Sequence, residues 1–83
     1  MATKNRPFYG SVGAALDVGI SLRQLYYWVE VLHAVRPQNH RHGKRIFRRF
    51  TPDDVTQLRA IKMFVEEGYT LRTAIRLASR KRP

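Results

Sequence analysis

A mainly α fold of four helices interrupted by one small β-hairpin is what this sequence predicts, and three observations predict it. Apolar residues recur at helical spacing in four stretches, between Ser11 and Gly19, from Ser21 to about Leu32, between Thr51 and Gly68, and from Thr70 to Ala78. Each stretch opens on a Ser or Thr able to cap a helix, and the first and third close on a glycine. After Pro37 the helical period stops, and "QNHRHGKRIFRRF" reads as two short extended segments around a turn.

The elements follow in order. Residues 1–10, with Lys4, Arg6, Pro7 and Gly10, read as a flexible basic arm. Ser11 is placed to cap the first helix, whose apolar side is read as Val12, Ala15 and Leu16, and Gly19 ends it by accepting a left-handed backbone. A turn follows at once. Ser21, with Gln24 three residues on, has the capping-box pattern that ties up free backbone donors at the start of a second helix.

The hairpin turns near His42 and Gly43. Thr51 then caps the third helix, with Pro52 at a first position that needs no N–H, and with Asp53 and Asp54 in the favourable first turn. Val55, Leu58, Ile61, Phe64 and Val65 make its apolar face until Gly68 stops it. Thr70 caps a fourth helix that carries Leu71, Ala74, Ile75 and Ala78 inward. The expected domain is residues 11–79, followed by a basic tail over 80–83. No internal repeat appears.

Eighty-three residues suffice for one hydrophobic core, and 43% hydrophobic with 11% aromatic residues is the composition of a folded chain. Sixteen Lys and Arg against six Asp and Glu leave a net charge of +10, a field that attracts polyanions, nucleic acid first among them. Without cysteine the fold has neither a disulfide nor a thiolate metal site, which suits a reducing compartment. "YYWV", the longest apolar run, is far short of the roughly 20 residues that span a bilayer, and "MATKNRP" lacks a signal-peptide core. The expected location is therefore the cytoplasm, at the nucleoid.

The basic residues are unevenly spread. Arg36, Arg41, Lys44, Arg45, Arg48 and Arg49 fall within 36–49 without an acid among them, and Ile46, Phe47 and Phe50 are woven through them and need a place to bury. A second acid-free block holds Arg72, Arg76, Arg80, Lys81 and Arg82, and its end reads as a solvated tail.

Helix, tight turn, helix, basic hairpin, helix, helix is the order of a winged helix-turn-helix. Such a unit needs a small residue where its first two helices touch, a glycine in the turn and apolar anchors on the second helix. Ala15, Gly19, Leu25 and Trp28 stand at that spacing. On a helical wheel Leu25, Trp28, Val29 and Leu32 share one side, and Arg23, Gln24 and Tyr27 the other. Arg can grip guanine and Gln adenine with two hydrogen bonds, each pair worth about 1–3 kcal/mol of discrimination. Tyr27 can donate its hydroxyl to a phosphate, Trp28 belongs to the core, and Tyr26 lies at the flank.

Lys44, Arg45, Arg48 and Arg49 are placed to grip flanking phosphates. His40 and His42 could share a strand face, but without a third ligand nearby a phosphate or solvent contact is the better reading than metal. His33 reads as a partly buried helix-end residue. Asp53 and Asp54 are helix-start residues, and no nucleophile has a partnered base, so no catalytic residue, cofactor or metal is expected.

At "GISLRQLYYW" and again through "RRFTPDDVTQLRAIKMFVEEGYTLRTAIRLA" the chain resembles the mercury-resistance-type (MerR) regulators, over about residues 11–78. The resemblance implies that Arg23 and Tyr27 contact DNA from the second helix and that Arg48 holds a phosphate from the first wing. It places Tyr69 in a second wing near the backbone. The expected DNA-binding set is then Arg23, Gln24, Tyr26, Tyr27, Arg41, Lys44, Arg45, Arg48, Arg49 and Tyr69.

Two departures stand out. Many members have Arg where Tyr26 stands, and members usually continue into a dimerising helix and an effector domain, whereas this chain ends at Pro83. The resemblance implies a bacterial transcription regulator that binds an inverted repeat in double-stranded DNA as a homodimer, and a monomer for this chain by itself. Two other readings use the same surface: a protein-interaction module that docks an acidic partner such as an antirepressor, and an excisionase-like architectural or recombination-directionality protein. Double-stranded RNA is disfavoured, because its narrow major groove would not admit the second helix.

Overall fold

The computed structural model describes residues 8–80. Its elements are α1 (Ser11–Val18), α2 (Leu22–Tyr26) continued by a π-helical turn (Tyr27–Val31), β1 (Gln38–His42), β2 (Arg45–Arg49), α3 (Pro52–Glu66) and α4 (Leu71–Arg80). This is the mainly α winged helix-turn-helix that the order of signals predicts.

Helix α3 is the spine. Thr51 Oγ1 accepts the Asp54 N–H and an Asp54 carboxylate oxygen accepts the Thr51 N–H, both at 3.0 Å, so the two free donors are satisfied reciprocally. Val55, Leu58, Ile61 and Phe64 bury one face of the helix, with Leu25 and Trp28 from the second helix, Phe50 from the base of the hairpin and Ala74 and Ala78 from α4. Val65 lies at the exposed edge of that face. Gly68 takes a positive φ of 109° and ends the run, and Thr70 Oγ1 accepts the Thr73 N–H at 3.2 Å to start α4. Gln57, buried in α3, reaches within 3.2 Å of the Ser79 hydroxyl of α4.

Helix α1 departs from its expected start and face. Gly10, not Ser11, is the cap, in an extended backbone whose carbonyl accepts the Ala14 N–H at 2.8 Å. The buried side is Ala14, Ala15 and Val18, while Val12 and Leu16 are 61% and 77% exposed. Small alanines let α1 lie close on its neighbours, and the larger side chains face outward. Gly19 ends the helix at φ 86° as expected, and Asp17 pairs with Arg59 to tie α1 to α3.

The arm is held at its end. Tyr9 and Phe50 exchange two backbone hydrogen bonds, of 2.7 and 2.8 Å, and Phe8 lies beneath the Arg49 guanidinium. Residues 8–10 are thus joined to the folded domain, and the remainder of the expected arm, 1–7, lies outside the described residues. At the other end Arg80 is still helical, and the tail residues 81–83 also lie outside.

The second helix runs close to its expected length but widens in its last turn, where the Leu32 N–H donates to the Tyr27 carbonyl five residues back at 3.2 Å. Leu32 is only half-buried. His33, expected to be partly buried, is exposed and takes a left-handed φ of 54°, and the next N–H, of Ala34, closes on the Trp28 carbonyl at 2.9 Å. No helix among the described residues is long and apolar enough to cross a membrane.

Candidate nucleic-acid interface

The second helix is fixed from its start and from beneath. Ser21 Oγ accepts the Gln24 N–H and Gln24 Oε1 accepts the Ser21 N–H, each at 3.0 Å. Leu25, Trp28 and Val29 are buried, and Arg23, Gln24, Tyr26 and Tyr27 are exposed. The wheel thus sorts this helix as expected, and it places Tyr26 outside the core. Arg23 has no ion pair among the described residues, so its guanidinium is available. Gln24 is differently placed, because its amide oxygen already serves the cap, and a two-bond grip on adenine competes with that bond.

The wing is a two-stranded antiparallel hairpin. Its register pairs His42 with Arg45, Arg41 with Ile46, His40 with Phe47 and Gln38 with Arg49, which leaves Gly43 and Lys44 as a two-residue turn. Gly43 has φ 65° while Lys44 stays at negative φ, the pattern of a II′ turn, whose twist matches that of the strands. Alternation then puts Arg41, Ile46 and Arg48 on one face and His40, His42, Arg45, Phe47 and Arg49 on the other.

Arg48 is not free. It pairs through Nε with Glu30 of the π turn, and its guanidinium carbon lies 5.8 Å from the centre of the Tyr26 ring. Arg45 stacks similarly over Phe47, and Arg49 over Phe8 at 5.4 Å. Arg41 and Lys44 are exposed without acid partners among the described residues. The expectation that Ile46, Phe47 and Phe50 are all buried holds only for Phe50. Ile46 and Phe47 are 51% and 45% exposed, because a two-stranded sheet has no second layer to cover them.

Tyr26, Arg45 and Arg48 come together around an open groove of about 510 Å³ between the start of α1 and β2. Tyr69 stands apart, exposed in the α3–α4 loop with its ring edge-on to Phe64 at 5.7 Å. His40 and His42 have ring centres 6.5 Å apart on one face of the wing, and no third ligating side chain joins them among the described residues. Glu30 is the participant that sequence reasoning missed. It stands one helical turn after Tyr26, but nothing local in the sequence links it to Arg48.

A capped, apolar-anchored second helix with an exposed Arg and Tyr, beside a basic wing, defines the class: a helix-turn-helix DNA-binding protein. A family model described as MerR HTH family regulatory protein matches residues 11–81, and the chain belongs to that family of DNA-binding regulators. No curated protein and no solved structure matches the chain.

Proposed function

We propose that the chain is a sequence-specific reader of duplex DNA that regulates transcription, with residues 11–79 as the DNA-binding domain. One observation carries the reading. Arg23 and Tyr27, four residues apart, are both exposed on a helix whose other side is held by Leu25 and Trp28. With that helix in the major groove, Arg23 grips the O6 and N7 of a guanine and Tyr27 sets register on a phosphate. Arg41, Lys44, Arg45 and Arg49 neutralise flanking phosphates, and Tyr69 approaches the backbone from the second loop. Gln24 acts chiefly as a cap, and Arg48 as a brace between wing and helix. Two copies on an inverted repeat complete the site.

Selection from random duplexes tests this. The chain should enrich one motif, and Arg23→Ala should lose it. Binding without any motif would overturn sequence reading. Sedimentation with a two-half-site duplex should show two chains per duplex, and one chain would remove the dimeric arrangement.

A second reading, docking of an acidic partner, is favoured by the groove itself. Val12, Tyr26, Ile46 and Phe47 expose apolar surface there beside Arg45 and Arg48. Under that reading, Phe47→Ala abolishes binding of an acidic peptide bearing a single tryptophan and leaves DNA affinity unchanged. Loss of DNA affinity instead would return the groove to DNA.

A further inference from the structure

Helix α4 carries a charge pattern that folding does not require. Arg72, Arg76 and Arg80 recur every fourth residue, within about 80° of arc on one face. All three are exposed, and no ion pair joins any of them to an acid among the described residues. The apolar residues of the helix face inward: Ala74 and Ala78 are in the core, and Leu71, Ile75 and Leu77 pack against it. Among the helices and strands only the α3 backbone runs close beside α4, and its arginine face stands exposed.

The pattern works against the helix. Like charges four residues apart repel. Arg72 also stands in the first turn, at the positive end of the helix dipole, where no acid offsets it. A polyanion on this face would relieve both.

The chemistry of the face distinguishes between kinds of polyanion. Protein-docking surfaces are organised around apolar or aromatic anchors, and α4 exposes no large apolar side chain, in contrast to α1 and the wing. Guanidinium groups alone, evenly spaced, fit a chain of phosphates. The stripe also starts three residues after Tyr69, in the loop assigned above to the DNA backbone.

We infer that Arg72, Arg76 and Arg80 form a second phosphate track, which binds the backbone of duplex DNA beyond the bases read by the second helix. This rests on the duplex-DNA reading above. At 1.5 Å per residue the stripe is about 12 Å long, or roughly three to four base-pair steps of 3.4 Å. It adds affinity without sequence preference.

The test is a salt series of binding to two duplexes, one with the selected motif and one scrambled, for the wild-type chain and for the triple variant R72Q/R76Q/R80Q. Gln keeps helix propensity close to that of Arg, and circular dichroism confirms the fold. The variant should show a slope of log K against log salt shallower by about 2–3. Its affinity should fall equally on both duplexes, so that sequence preference survives. A triple Arg→Lys variant, which keeps the charge, should retain the wild-type slope.

Unchanged slope and affinity in the Gln variant would overturn the track. Unchanged DNA binding with lost binding to polyglutamate would assign the face to an acidic protein instead, and would overturn it equally. If Arg23→Ala and wild type bind all duplexes alike, sequence reading by the second helix fails, while the comparison on the scrambled duplex still decides the track.

Discussion

The second helix and the wing belong to one proposed interface, yet they are held in place by different forces. Leu25, Trp28 and Val29 bury the inner side of the helix, and a two-bond capping box closes its start. No residue of either wing strand is buried. The hairpin is held at its base by the Tyr9–Phe50 bonds, and along its length by Arg48 against Glu30 and Tyr26 and by Arg49 over Phe8. Packing positions the part proposed to meet base edges, where placement must hold to within a hydrogen bond. Backbone bonds at its base and charged contacts along its length position the part proposed to follow the phosphates, and the charged contacts yield to salt and to competing phosphates.

The sharpest way to break this contrast is Trp28→Ala. Emptying a large buried aromatic site costs about 3–5 kcal/mol, against a total of roughly 0.05–0.15 kcal/mol per residue for a domain. Urea unfolding should lose most of its transition, and a small shift would mean that packing does not fix the helix. Ser21→Ala should cost about 1 kcal/mol, lowering the melting temperature by roughly 4–8 °C. A melt unchanged within error would remove the cap from the account.

On the wing side the expected change lies in binding rather than folding. Glu30→Gln breaks a partly exposed pair, so stability should move by no more than about 1 kcal/mol. Arg48 then becomes free for a phosphate, and the salt slope of DNA binding should steepen by up to about 0.9. An unaltered slope would mean that Arg48 reaches phosphate despite Glu30, as the family resemblance implies.

What could be read from the sequence was local chemistry. Ser21 with Gln24, Thr51, Thr70, and the glycines at 19, 43 and 68 each act within a few residues of themselves, and each does in the fold what its type requires. The face of α1 was illegible because "SVGAALDV" has Asp17 as its sole charge, and the pattern therefore marks no polar side. Ile46 and Phe47 misled for another reason: apolar residues in a strand imply a covering layer, and this hairpin has none. Within the candidate site the outward setting of Arg23 and Tyr27 followed from a wheel. The Glu30–Arg48 pair did not, since it joins residues from two elements across a tertiary contact. The anchoring of Tyr9 on Phe50 is equally remote in sequence.

The π turn that follows α2 has the form of an α-helix with one residue inserted. Delete Val31, which is exposed, and the Leu32-to-Tyr27 bond spans four residues as in any α-helix. The Ala34-to-Trp28 bond then spans five, the outer bond of an ordinary Schellman ending, with His33 already left-handed in the place a glycine would take. Arg23, Tyr27, Trp28 and Glu30 all precede the cut and keep their places. The end of this helix is therefore a point where the chain can change length by one residue without disturbing the exposed face that carries Arg23 and Tyr27, whereas the same deletion inside α2 would rotate every later side chain by about 100°.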